Sequence, residues 1–140
     1  MKAVSVKTVE YVAFSLAREK LSFHEPIPGF ETRFPGALES CVSVPFQKYG
    51  GHFVYRGLIA KAAMLFYLMV KNHPFQNGNK RIAMTTVLVF LYQNEKWLEV
   101  DQQELYNFAV WVAGSPSEMK EETVKGIEKF IQKHVIASAA

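Results

Sequence analysis

The 140-residue sequence predicts an all-α fold carrying one small β-hairpin, and three observations predict it. Apolar residues recur at helical spacing near the start and the end of the chain. Two central stretches are apolar almost all round, as buried helices are. One glycine pair, Gly50-Gly51, sits between short apolar groups, the pattern of a tight turn. With 49% hydrophobic and 21% charged residues the chain has the apolar area to offset its ordering entropy, so residues 1–140 are expected to fold as one domain.

Taken in order, Val6, Val9, Val12, Ala13, Leu16 and Ala17 mark one face of a helix from about residue 6 to 21, with Ser5 as its cap and Glu10, Arg18, Glu19 and Lys20 largely opposite. Pro26, Pro28, Gly29 and Pro35 break the pattern, and 36–42 is expected as a short helix behind them. Tyr49-Gly50-Gly51-His52 then reads as the turn of a hairpin, a candidate flap. Leu58 to Lys71 is expected as a helix buried nearly all round. A second follows from Ile82 to Tyr92, where length and the alanine and methionine content favour helix over strand despite Thr85, Thr86 and the valines. Asp101 and Glu104 have the spacing of an N-cap and capping box opening a helix that Gly114 closes. Ser115-Pro116-Ser117-Glu118 repeats the device, with proline at the first helical position, ahead of a last helix whose apolar face is Val124, Ile127, Phe130 and Ile131.

Composition excludes several classes of function. Cys41 is the single cysteine, so an intramolecular disulfide and a four-thiolate metal site are ruled out, which suits a reducing compartment. The first ten residues carry charges where a signal peptide needs its apolar stretch, and the longest strictly apolar run, Ala62 to Val70, is too short to cross a bilayer. A cytoplasmic protein without membrane contact is expected. The formal net charge of +3 is spread along the chain and interleaved with Glu, so nucleic acid is not the expected partner.

Chemistry concentrates in one polar segment between the two central helices, His73-Pro74-Phe75-Gln76-Asn77-Gly78-Asn79-Lys80-Arg81. Gly78 can take a backbone geometry closed to most residues, and the amides of Gly78, Asn79 and Lys80 would then open a helix, where unpaired donors and the helix dipole favour an anion. Lys80 and Arg81 oppose that dipole unless an anion is bound, and together they suit a polyphosphate. His73, just ahead, is the side-chain type that exchanges a proton near neutrality and is the candidate general base. Pro74 restricts the backbone beside it and Phe75 can anchor the loop in the core. Asn77 can offer an oxygen to Mg2+ or to a phosphate-bound water, less strongly than a carboxylate would.

These nine residues resemble the active-site motif of the Fic/Doc superfamily, and the ending Gly78-Asn79-Lys80-Arg81 resembles the Doc ("death on curing") branch. Lys71-Asn72, Glu99-Val100, Glu104-Leu105-Tyr106 and Ala113-Gly114 are also Doc-like, so the resemblance extends from about Gly29 to Gly114. It implies a helical fold with the motif loop between two central helices and a flap that holds a target segment. It implies His73 as general base, Phe75 buried, and Gly78, Asn79, Lys80 and Arg81 around the phosphates of ATP, with Mg2+. For a Doc-like chain it further implies a toxin that moves the terminal phosphate of ATP to a hydroxyl of a translation elongation factor, and a small antitoxin partner whose helix covers the cleft.

Two departures bear on the alternatives. Typical Fic motifs have Asp or Glu where this chain has Asn77, which leaves open a noncatalytic Fic-fold binding protein. AMP-transferring relatives have Gly at the place of Lys80 and a second arginine at the place of Met84, so AMP transfer is the less expected reaction. Some Fic proteins are also held inactive by a helix bearing Ser or Thr, three residues, Glu, then Gly or Asn. Ser15 to Lys20 lacks the last element, and Glu19 is expected to face solvent.

Overall fold

Ser5 Oγ accepts the Thr8 N–H at 3.1 Å and opens the first helix, as a hydroxyl at an N-cap should. The computed structural model describes residues 1–21 and 25–138. In it this helix, α1, runs Val6–Thr8, widens to a π-helical turn over Val9–Phe14 and returns to α-helix at Ser15–Lys20. Two hydroxyls bond to carbonyls of this stretch. Thr85 Oγ1 donates to the Ala13 carbonyl at 2.7 Å and Ser15 Oγ to that of Glu10 at 3.3 Å. His24, for which the sequence offers no partner, lies outside the described residues.

Helix α2 spans Ala37–Ser43 and leads through a 3-10 turn into β1 (Lys48–Tyr49) and β2 (His52–Phe53). The two strands are antiparallel with Tyr49 opposite His52. Gly50 and Gly51 have φ of 58° and 82°, both positive, as a two-residue turn that follows the strand twist requires.

The central pair is α3 (Gly57–Lys71) and α4 (Asn79–Gln93). Every residue from Lys61 to Val70 and from Arg81 to Val87 is buried. Fully burying one Leu, Phe or Met contributes about 1.5–3 kcal/mol, so packing of this extent fixes both ends of the loop that joins the two helices. Helix α4 starts three residues before the expected Ile82, because its first turn is the polar Asn79-Lys80-Arg81, which carries no apolar periodicity. Thr85 and Thr86 fit a helix by bonding to carbonyls; Thr86 Oγ1 donates to Ile82 O at 2.7 Å.

Helix α5 (Gln102–Ala113) opens on Asp101, whose carboxylate accepts the N–H groups of Gln103 and Glu104 at 3.0 and 3.3 Å. The expected capping box is only half formed, since the Glu104 carboxylate lies 3.5 Å from His134 Nε2 instead. Pro116 sits ahead of a 3-10 turn, Ser117–Met119, and α6 begins at Lys120 and runs to His134, so the proline stands one position outside the helical segment. Helix α3 packs against α4, α5 and α6. Phe108 stacks on Phe130 with ring centroids 4.0 Å apart. Trp97 and Trp111 are 40% and 52% exposed.

The fold is mostly helical, but it holds two small sheets where the sequence reading allows at most one hairpin. β3 (Lys96–Leu98) pairs antiparallel with β4 (Val135–Ala137), Trp97 lying opposite Ile136. Three-residue strands that meet across so long a stretch of chain leave no turn and too short an alternation to read. Among the described residues no helix is long and apolar enough to cross a membrane.

Candidate active site

The loop after α3 is held from its C-terminal side. His73 has φ 46°, one of two described non-glycine residues in the left-handed region; the other is Glu95, in the turn between α4 and β3. Histidine visits this region more readily than most residues, yet the conformation still costs on the order of 1–3 kcal/mol and persists only where the surroundings impose it. They do so here through three contacts. The buried Pro74 accepts the Phe34 N–H at its carbonyl, 3.0 Å away. The Phe75 side chain, 3% exposed, lies between Phe14 and Phe30 with centroid separations of 5.4 and 5.8 Å. Both backbone groups of Phe75 are taken by Asn79, whose Oδ1 accepts the N–H at 2.9 Å and whose Nδ2 donates to the carbonyl at 2.8 Å. On the other side Lys71 Nζ donates to Ala113 O and Ser115 O at 3.2 and 2.5 Å, a cation satisfying the carbonyls at the end of α5.

Gly78 is the N-cap of α4 with φ 80°, and a Cβ there would stand 2.8 Å from Ile27 Cγ1, so both backbone and space require glycine. Its N–H donates to Asn77 Oδ1 at 2.8 Å. Beside it opens a cavity of about 230 Å³ lined by Glu25, Tyr106 and the five residues from Asn77 to Arg81. The N–H groups of Asn79, Lys80 and Arg81 form the first turn of α4, with no carbonyl ahead of them in the helix, and the positive end of the dipole points the same way. Lys80 is half-buried and Arg81 is 3% exposed. A buried guanidinium needs acceptors, and NH1 finds two in the carbonyls of Leu21 at 2.9 Å and Glu25 at 2.7 Å.

Five of the six residues singled out from the sequence, Asn77, Gly78, Asn79, Lys80 and Arg81, therefore meet around one cavity. His73 is exposed and does not line it; it stands on the loop four residues before Asn77. The Asn79 side chain builds the loop, so what it can offer an anion is its backbone N–H. His52 is exposed in the hairpin, and Glu19 is exposed on α1 as expected. Met84 is buried and belongs to a separate apolar groove with Leu16, Leu21 and Leu88.

Two residues of the cavity escaped the sequence reading. Tyr106 enters the sequence reading only as part of the Doc-like flank Glu104-Leu105-Tyr106, with no role at the site. Glu25 sits among prolines where no periodicity marks it. Among the described residues no group of three His, Cys, Asp or Glu side chains is gathered as a metal site. The carboxylate at the cavity is that of Glu25, beside Asn77, whose Oδ1 already accepts from Gly78. Magnesium takes one or two carboxylates and completes its shell with phosphate oxygens and water, and with Glu25 included the donors fit that need.

No curated protein matches the chain. Residues 11–91, more than half of it and including the whole motif loop, match the family model described as the Fic/DOC family.

Proposed function

Because the chain belongs to the Fic/DOC family, we propose that it is a Doc-type transferase that moves the terminal phosphate of ATP to a hydroxyl of a protein target. The observation that carries this reading is the cavity at the start of α4, where a left-handed glycine, the first-turn amides, Lys80 and Arg81 converge without a carbonyl ahead of them. Such a place suits a polyphosphate.

In the proposed reaction His73 accepts the proton of the target hydroxyl, whose oxygen forms a bond to the terminal phosphorus as the bond from that phosphorus to the bridging oxygen breaks. ADP leaves, and His73 returns its proton to solvent. Lys80 and the first-turn amides offset the charge on the transferred group, which is the main service such a transfer asks of a protein. Phe75 and Asn79 keep the loop rigid while this happens. Magnesium, when bound, would neutralise phosphate charge, and the part of the cavity wall formed by Asn77 and Glu25 is where it would be held.

Phosphate rather than AMP is favoured by two positions. Lys80 fills space where AMP-transferring relatives have glycine, and the place of their second arginine is the buried Met84, away from the cavity. The Doc-like ending also supports a cytoplasmic toxin with a translation elongation factor as target and a small antitoxin as partner.

The test supplies purified, partner-free protein with a cell lysate, magnesium, and ATP labelled at either the terminal or the ribose-proximal phosphorus, followed by intact mass of the labelled target. Terminal label and a gain of one phosphate are expected. Ribose-proximal label with the mass of an AMP adduct would assign AMP transfer instead, and nucleotide binding without any labelled protein would make the chain a noncatalytic binder.

A further inference from the structure

Leu21, Glu25 and Ile27 each meet the motif loop, and what Glu25 delivers there is a carboxylate. Arg81 NH1 holds the carbonyls of Leu21 and Glu25, at 2.9 and 2.7 Å. Ile27 packs so close to Gly78 that no side chain fits between them. Between these two clamps, Asn77 Nδ2 donates to Glu25 Oε2 at 2.8 Å, and Glu25 becomes part of the cavity wall. We propose that Glu25 is the metal-facing carboxylate of the nucleotide site and that Asn77 is the residue that positions it. The proposal rests on the reading of this cavity as a Mg2+–nucleotide site.

Three features support this division of roles. Asn77 spends its oxygen on the Gly78 N–H and turns its NH2 group toward Glu25, and an amide that presents hydrogens does not ligate a cation. Glu25 uses one carboxylate oxygen for that amide and is exposed at the cavity, so a carboxylate is presented where phosphates would enter. The third feature is its choice of neighbours. An acid that blocked the site would pair with Lys80 or Arg81, yet among the described residues the Glu25 carboxylate forms no ion pair with either. Arg81 meets Glu25 through the backbone carbonyl, and the carboxylate is held by a neutral group, which leaves its charge for a cation. The acid that the motif lacks at position 77 is thereby supplied from a distant part of the chain, and an asparagine is the residue that can hold it without repulsion.

The experiment uses the full chain, Mn2+ as the probe and a non-hydrolysable ATP analogue, with nucleotide affinity measured calorimetrically with and without metal and bound Mn2+ followed by its spin-resonance spectrum. Glu25→Gln keeps the size and an acceptor for Asn77 but removes the charge. It is expected to weaken Mn2+ binding to the nucleotide complex by about tenfold or more, while metal-free nucleotide affinity holds or rises. Asn77→Ala should reproduce that signature at a smaller amplitude, with the spectrum of bound Mn2+ altered, which a merely structural role would not produce. If Glu25→Gln tightens nucleotide binding by the same factor with and without Mn2+, Glu25 is a repelling charge and the proposal falls; it falls equally if neither affinity moves. Wild-type protein that binds no nucleotide under either condition would overturn the transferase reading itself, a result distinguishable from both.

Discussion

Asn79 and Phe75 close a ring across the motif loop, the side-chain amide of one serving both backbone groups of the other at 2.9 and 2.8 Å. Each end of the amide has its complement, so no isosteric residue with two like ends can replace it. Asn79→Ala orphans the Phe75 N–H and carbonyl together. The expected loss is about 1–3 kcal/mol in urea unfolding, and unchanged stability would show that the loop is held by Phe75 packing alone.

Gly78→Ala tests the close approach of Ile27. The variant must carry a Cβ at φ 80° and 2.8 Å from Ile27 Cγ1. A destabilisation of about 1–3 kcal/mol is expected from the backbone strain, with a further penalty from the clash. Adding Ile27→Ala should recover the clash and leave the strain, so the double-mutant cycle should show coupling between the two sites. Strict additivity would mean that the segment bearing Ile27 simply moves away.

His73→Ala separates chemistry from binding. Because His73 is outside the lining of the cavity, nucleotide affinity should stay within about twofold, whereas transfer to the target should slow by roughly 10² to 10⁴. A rate near that of the wild type would remove His73 from the mechanism.

Cys41 gives the fold an alkaline limb. Burial pushes its thiol from the ordinary 9.0 up to about 11, and Sγ donates to Leu68 O at 3.4 Å. The neutral thiol is thus favoured by the folded state. Its contribution is fully present below pH 9 and is lost as pH rises through 9 toward about 11, because the unfolded chain ionises first. Relative to Cys41→Ala, the wild type should lose roughly 2–3 kcal/mol across that window. Parallel pH profiles of the two proteins would refute the assignment.

The sequence was most legible where one element satisfies itself. Helices α3 and α4 could be read because long runs of buried residues leave an unmistakable apolar record, and the β1–β2 turn because Gly50-Gly51 has few other uses. Features that depend on a remote partner were silent. The strand Lys96–Leu98 exists only because residues 135–137 return to it. Glu104 has the spacing of a capping-box residue, yet His134 is its observed neighbour.

The candidate site divides in the same way. Asn77 to Arg81 are consecutive, and their grouping needed only a loop and a helix start. Glu25 reaches the same cavity because Arg81, read from sequence as a phosphate ligand, spends NH1 on the carbonyls of Leu21 and Glu25. No pattern of residue types announces a backbone carbonyl as the acceptor.

The π-helical stretch Val9–Phe14 has a consequence for how the gene tolerates changes in length. A π turn carries one residue more than the α-helix around it, so it is where a helix has absorbed an insertion without passing the rotation on. Deleting a single codon within this stretch, before Phe14, should let α1 close into regular α-helix. Phe14 and everything after it would keep their places, and so would the residues ahead of the stretch, because the closed helix passes no rotation on. One-residue deletions elsewhere in α1 would instead rotate the residues on one side of the cut with nothing to take up the difference, so viable length variants of this helix should cluster between residues 9 and 14.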